Sequence, residues 1–334
     1  RTDIELLGFD TGYFANCLTN TEYLPELNYN QYWGDLRNFP FDLLDGVDAV
    51  VHLAAISNDP MGRQFEKVTN DINYNASIQI AKVAKEKGVK SFVFASSCSI
   101  YGFADLDDKT EIDNLNPLTA YARSKVSMEN SLADLADKNF IVTALRFATA
   151  CGMSDRLRLD LVLNDFVAGA LTSGEISVLS DGTPWRPLID VKDMSRAIDW
   201  ALDRYLEVDT HFLPLNTGSQ EWNYQVKDLA HAVAEIITGT KVSINMHAQA
   251  DKRSYRVNFD KFKDYAPKHQ PQTSLEQSIN EIRLGLENMK FSDSNFRTSQ
   301  YMRLKTLESH ISSNRLDREL KWTNTGHLKG GETK

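Results

Sequence analysis

The chain has 334 residues, 42% hydrophobic and 25% charged, with 37 Lys and Arg against 46 Asp and Glu for a net charge of −9. That composition suits a globular protein with a buried core, and an acidic balance without a Lys/Arg block argues against nucleic acid or an acidic membrane surface as the main partner. Cys17, Cys98 and Cys151 are too few for a secreted disulfide scaffold and lack metal-ligand spacing; no apolar run reaches a membrane span and no signal-peptide pattern opens the chain, so a cytoplasmic location is expected.

In chain order, residues 4–10 read as a short strand ending on Asp10, followed by Thr11-Gly12. Residues 48–55 read as a more apolar strand running into small residues. Residues 63–88 have helical periodicity through Ile72, Ala76, Ile80 and Val83 and end at a glycine. A strand at 92–95, a helix at 118–137 and a strand at 141–147 follow. Continuous apolar strands alternating with helices predict an α/β fold, a doubly wound parallel sheet covered on both faces. Beyond Thr149 the pattern changes: a helix at 159–171, a strand at 176–179, the turn Asp181-Gly182, Arg186, a helix at 191–206 and a strand at 212–215. Further helices are expected near 274–289 and 300–309. The boundary falls near residue 152, with a smaller C-terminal α/β domain over 153–334. Part of that second half, about 186–217, is expected to return to the first sheet.

In a parallel α/β sheet, ligands bind off the carboxyl ends of the strands. Asp10, Ala54-Ala55, Ser96-Ser97 and Ala148-Thr149 all fall at such ends and are expected to face one crevice. The stretch from Ser96 to Lys125 carries the clearest chemistry. Tyr121 and Lys125 lie four apart, so on a helix they share a face. A phenol with a free pKa near ~10 is a poor base at neutral pH, and a nearby ammonium favours its ionised form, as general base catalysis requires. The same spacing recurs at Tyr301 and Lys305, read as an ordinary amphipathic helix. What distinguishes Tyr121 is its context: a buried-strand pattern, a Ser-rich turn, then the helix.

The ordered set Asp10, Asp35-Leu36, His52-Leu53-Ala54-Ala55, Asn73, Ser97 with Tyr101-Gly102, Tyr121 with Lys125, Leu145-Arg146, and Asp181-Gly182 with Arg186 resembles the extended short-chain dehydrogenases/reductases that act on nucleotide-sugars. The resemblance runs from Gly8 to about Trp322. It implies a Rossmann-type NAD-binding domain over 1–152 and a mainly substrate-binding domain over 153–334. It also implies Ser97, Tyr121 and Lys125 as the catalytic set, with Tyr121 the acid/base and Lys125 binding the nicotinamide ribose. Asp10 would receive the adenosine ribose hydroxyls, and a carboxylate there, with no arginine in Thr11-Gly12-Tyr13, favours NAD over NADP. Asp35 and Leu36 would sit by the adenine, Leu53, Ala54 and Ala55 along the cofactor, and Asn73 would support the nearby loop. Arg186 and Arg253 would pair with the diphosphate of a nucleotide-diphosphate sugar, and Thr149 and Asn164 would touch substrate. A homodimer through the helices at 63–87 and 118–137 is implied as well, with Ile80, Val83, Val126 and Leu132 as candidate seam positions.

Two departures narrow this reading. The family opens with a strand and a Gly-rich phosphate loop, and this sequence has neither; its first strand resembles the family's second, as in an N-terminally truncated member. Relatives that remove water across C5–C6 resemble Thr-Asp-Glu where this chain has Ser97-Cys98-Ser99, so 4,6-dehydration is not expected. The cysteine position of fucose-synthase-like members is taken by Ser99, and Cys98 reads as a small core residue. The expected activity is therefore NAD-dependent nucleotide-sugar epimerisation: transient oxidation at a sugar hydroxyl, at C4 by preference, with hydride return to the other face. The alternatives are a net 4-ketoreductase or dehydrogenase and, in another class, an inactive NAD- or nucleotide-sugar-binding protein. The scattered histidines form no metal-ligand pattern.

Overall fold

The computed structural model describes residues 4–19, 29–103, 107–206, 209–248 and 254–323. Its strands in chain order are β1 (Leu6–Asp10), β2 (Tyr29–Trp33), β3 (Ala49–His52), β4 (Ser91–Ser97), β5 (Ile141–Phe147), β6 (Thr149–Cys151), β7 (Glu175–Val178), β8 (Trp185–Asp190), β9 (Phe212–Thr217), β10 (Asn223–Gln225) and β11 (Lys241–Ile244). The helices are α1 (Asp59–Gln64), α2 (Glu66–Asn70), α3 (Ser77–Glu86), α4 (Ala120–Leu135), α5 (Val162–Ser173), α6 (Val191–Asp203), α7 (Val226–Ile236), α8 (Asp260–Tyr265), α9 (Leu275–Asn288) and α10 (Arg303–Ser312).

Four parallel strands, in the order β3-β4-β5-β9, form the main sheet, and β1 pairs with β2 in a separate parallel pair. β4 and β5 read as unbroken apolar runs because both of their faces are covered. Alternate residues leave by opposite faces: Phe92, Phe94, Val142 and Ala144 pack under Ile78 and Ala81 of α3 and Met128 and Leu132 of α4. Val93, Leu145 and Phe147 pack on the other face with Ala197 and Ala201 of α6. A strand from the second half, β9, does join this sheet beside β5. The remaining core gathers α5, α7 and α9 with β7 and β8.

The helix read over 63–88 is instead α1, α2, a π-helical turn at Asp71–Ala76, and α3. The π turn is a local widening of the helix, and Asn73 sits inside it. Of the candidate dimer-seam residues, Ile80 and Leu132 are spent inside the core of this chain, and Val83 and Val126 pack against it. The C-terminal stretch folds back on the start of the chain. Leu307, Leu316 and Leu320 form one cluster with Tyr13, Ile56, Met61 and Phe65, and the Trp322 Nε1–H donates to the Thr11 carbonyl at 2.7 Å. No helix among the described residues is long and apolar enough to cross a membrane.

Candidate active site at the carboxyl end of the parallel sheet

Ser97 ends β4, and its Oγ accepts the Ser99 N–H at 3.1 Å, capping the 3-10 turn that follows. That turn closes at Gly102, whose φ of +65° and position leave no room for a side chain: a Cβ would stand 2.1 Å from the Asn116 carbonyl oxygen. Tyr101 beside it is buried and donates to Asn216 Oδ1 of β9 at 2.6 Å. α4 starts where Thr119 accepts the Ala122 N–H at 3.1 Å, an N-cap that sets Tyr121 in the first turn. Tyr121 thereby comes near enough to Ser97 for the serine hydroxyl to pull the phenol's pKa down.

Lys125, one turn further, is 3% exposed. Its ammonium donates to the Ala95 carbonyl at 2.6 Å and lies 5.5 Å from the centre of the Tyr121 ring. Burial pulls its pKa down to about 7, opposed by the charge of Glu129. Lys125 is not among the leading causes of the Tyr121 shift. Burial raises the Tyr121 pKa, and what pulls it down is the Ser97 hydrogen bond and the charge of Arg158. Arg158 was not among the residues the sequence singled out. Its signal was present in Arg156-Leu157-Arg158-Leu159-Asp160, where the leucines are fully buried and the charged residues alternate with them. Arg158 forks onto Asp160 with two bonds of 3.0 Å, and Asn58 Nδ2 donates to the same carboxylate at 2.7 Å.

Asp10 stands at the end of β1, accepting the Gly12 N–H at 2.6 Å. Arg156 donates to its other oxygen at 3.0 Å. Asp10 is thus answered by an arginine from a distant segment of the chain and not from residues 11–13. Asp35 is engaged by Arg37 through side chain and backbone, at 2.9 Å for both Nε and the amide. Its carboxylate caps a turn rather than standing free for adenine, and Leu36 beside it packs against two apolar clusters. Leu53 and Ala54 are exposed beyond the end of β3, with Ala55 half-buried. Asn73 is buried and bonded to the Ile56 N–H at 2.8 Å, the Ile56 carbonyl at 3.1 Å and Ser124 Oγ at 3.2 Å, so it ties the 54–56 segment to α4.

The substrate-side assignments fare differently. Asn164 spends its amide on Gly152 and the Arg158 carbonyl, at 2.9 to 3.0 Å, and holds the 152–158 loop from within instead of reaching into the crevice. Thr149 opens β6 and is half-buried. Arg186 lies on β8 with Nη1 on the Trp185 carbonyl at 2.8 Å, and Arg253 lies outside the described residues. Cys98 is a core residue, fully buried, with Sγ 3.0 Å from the Arg146 carbonyl oxygen and its thiol pKa pushed up by burial. Tyr301 precedes α10 and packs on Phe291, so it shares no helix face with Lys305. A surface cavity of about 650 Å³ lined by Trp200, Arg204 and Tyr265 lies by the amino end of β5, where Arg204 meets the Val142 carbonyl. It is on the wrong end of the sheet for a ligand of this fold.

A Ser/Tyr/Lys set at the carboxyl end of a parallel α/β sheet, with a carboxylate at the end of β1, is the arrangement of the extended short-chain dehydrogenase/reductase class. Residues 1–213 match the NAD dependent epimerase/dehydratase family, and the chain belongs to that family. The uncharacterized UDP-glucose epimerase YtcB of Bacillus subtilis (strain 168) is 27% identical over 208 residues, 61% of this chain and 62% of that protein. The chain thus spans a little under two thirds of that relative's length. The UDP-glucose 4-epimerase of Lacticaseibacillus casei is 25% identical over 258 residues, 72% of this chain and 77% of the relative. Among solved structures, MoeE5 in complex with UDP-glucose and NAD aligns with a TM-score of 0.70 at 23% identity, covering 85% of this chain and 99% of that one. The UDP-glucose-4-epimerase from Stenotrophomonas maltophila with bound NAD and formylated UDP-arabinopyranose aligns at 0.71 and 20%, covering 87% and 100%. These two show the shared fold; the assignment of NAD rests on the family.

Proposed function

We propose that the chain is an NAD-dependent nucleotide-sugar epimerase in which Ser97, Tyr121 and Lys125 handle the proton of one sugar hydroxyl. The observation that carries this reading is the convergence of Ser97 and Tyr121 over Lys125 at the end of β4, in a chain of the NAD dependent epimerase/dehydratase family. The residues present suit the cofactor: the strand ends at Leu53 and Ala54 are open, and Asp10 offers a carboxylate at the end of β1. Asp10, Leu53, Ala54, Ala55, Tyr121 and Lys125 would hold it. When bound, NAD supplies an acceptor and donor of hydride. Tyr121 Oη takes the hydroxyl proton, helped by the Ser97 hydrogen bond and the Arg158 charge, and returns it at the end of the cycle. Lys125, held on the Ala95 carbonyl, orients the ribose side of the site.

Two further elements complete the reading. The substrate is a nucleotide-diphosphate sugar, met by Arg186 and Thr149 from the second half of the chain. The protein is a homodimer, which rests on the resemblance and is checked by sedimentation velocity, in a reducing cytoplasmic setting, which rests on the few unpaired cysteines. The decisive experiment follows a C4-deuterated sugar nucleotide: epimer that retains the label supports the proposal, and net reduced cofactor without epimer overturns it in favour of a dehydrogenase.

A further inference from the structure

After α10 the chain closes into a hairpin over residues 316–322. Leu316 and Trp322 meet as an antiparallel bridge, and the Asp317 N–H donates to the Lys321 carbonyl at 3.0 Å. Asp317 Oδ1 accepts the Glu319 and Lys321 amides at 2.8 and 2.9 Å. Leu320, at the turn, is fully buried and has a φ of +57°, a left-handed conformation that a bulky side chain keeps only where its surroundings hold it. Here they do: the Tyr13 hydroxyl donates to the Leu320 carbonyl, and Arg37 Nη1 donates to the Glu319 carbonyl at 2.7 Å. The hairpin is therefore fixed in one place against the segments that follow β1 and β2.

What the hairpin presents there is the indole of Trp322. Its Nε1–H donates to the Thr11 carbonyl at 2.7 Å, and its ring centre lies 5.2 Å from that of His310 and 5.7 Å from the Arg315 guanidinium. The Thr11 carbonyl and the Gly12 N–H belong to one planar peptide unit, so they point in opposite directions. The Gly12 N–H donates to Asp10 Oδ1 at 2.6 Å. Trp322 thus fixes one side of the peptide whose other side holds the Asp10 carboxylate. Gly12 stands at φ +75° and has no side chain to restrict it, so nothing within the turn keeps that peptide from rotating. In such a chain of hydrogen bonds each bond also polarises and strengthens the next. The other Asp10 oxygen is taken by Arg156 at 3.0 Å.

We propose that Trp322 is a positioning residue for Asp10, acting through the Thr11–Gly12 peptide and without touching the cofactor itself. The proposal rests on the epimerase reading for the role of Asp10 as a cofactor-binding carboxylate. A carboxylate that receives hydroxyls must present its oxygens at one angle, and the last side-chain torsion of an aspartate has a broad, soft preference of its own. The Gly12 amide sets that angle in this chain, and the indole sets the amide. A contact between residues 311 positions apart then makes cofactor affinity depend on the C-terminal hairpin.

The test uses the full chain, with NAD and UDP titrated separately by calorimetry and the Gly12 amide followed by NMR on glycine-labelled protein. Trp322→Phe keeps the ring and loses the N–H. It should weaken NAD binding about fivefold or more, leave UDP binding unchanged, and move the Gly12 amide proton away from its carboxylate-bonded position. Tyr13→Phe removes the hydroxyl that holds Leu320 and leaves the indole bond in place. It should lower the urea midpoint yet keep NAD affinity within about twofold. Unaltered NAD affinity in Trp322→Phe, or an equal loss in Tyr13→Phe, overturns the proposal. If Trp322→Phe does not fold, hydrogen exchange in the wild-type chain decides: slow exchange of both the Trp322 indole and the Gly12 amide supports the relay, and fast exchange of either overturns it. NAD binding weakened by Trp322→Phe in a chain that turns over no sugar nucleotide upholds the role of Trp322 and overturns the epimerase reading. Turnover combined with unaltered NAD affinity in Trp322→Phe overturns the role of Trp322 alone, and a wild-type chain that binds no NAD overturns both.

Discussion

Replacing Glu129 with Gln removes one charge from the most deeply buried ion pair behind the site. Glu129 and Arg146 are 3% and 5% exposed. The Glu129 carboxylate accepts Arg146 Nη2 at 2.7 Å and Nε at 3.1 and 3.2 Å, and it also accepts the Ser96 hydroxyl. Arg146 Nη1 continues to Tyr101 Oη at 3.0 Å, and Tyr101 to Asn216, so the network joins β4, β5, α4, β9 and the turn at 98–101. Burial opposes the charge of Arg146, and the Glu129 bonds and charge more than restore it. Without that carboxylate the guanidinium is a buried cation facing an amide that can supply only one acceptor oxygen. Losing one partner of such a pair costs about 3–5 kcal/mol, a large share of a total stability of about 5–15 kcal/mol. Urea unfolding of Glu129→Gln measures it directly. The combined Glu129→Leu, Arg146→Met variant should cost less than the two single changes added, because no charge is then left unpaired. A Glu129→Gln cost under about 1 kcal/mol, or strict additivity in the double variant, would refute the reasoning.

The legible part of this molecule was the part built from local pattern. β4 and β5 announced themselves as apolar runs because both faces of each are buried, and Tyr121 and Lys125 because a helix brings residues four apart to one face. The Tyr301–Lys305 repeat shows how little spacing alone carries: Tyr301 falls outside α10 altogether. What sequence reading missed came from distant chain segments meeting in space. Arg156 reaches Asp10 across 146 positions, and Arg158, from the same loop, brings a charge that lowers the Tyr121 pKa. Periodicity cannot report such contacts, because they depend on where a loop lands. The same holds for the C-terminal stretch, which packs on Tyr13 and Thr11, and for Asn164, whose amide is consumed by its own loop. Family resemblance pointed to Asn164 by position, while its hydrogen bonds show its present use.

Tyr121→Phe keeps the ring and loses the proton acceptor, so turnover should fall about 10²–10⁴-fold with NAD affinity retained in calorimetry; undiminished turnover would remove Tyr121 from the chemistry. Asn73→Leu leaves the Ile56 N–H and carbonyl without their side-chain partner, and should cost about 1–3 kcal/mol in urea unfolding while loosening residues 54–56 to hydrogen exchange. Lys305→Ala breaks only an exposed pair with Glu308 at 2.8 Å, and should change stability by no more than about 0.5 kcal/mol with unaltered turnover, unlike any change at Lys125. Lys125 itself predicts a pH dependence with a definite sign. Its folded pKa of about 7 lies below the ordinary lysine value of 10.5, so between those pH values the unfolded chain binds a proton that the folded chain does not. Stability from this group is therefore fully present above about pH 10.5 and is lost as pH falls to about 7, at up to about 1.4 kcal/mol per pH unit. Lys125→Met has no such proton. Its urea midpoint should therefore gain on wild type as pH drops from about 10 to about 7, and two parallel curves over that range would mean that Lys125 stays charged in the folded protein.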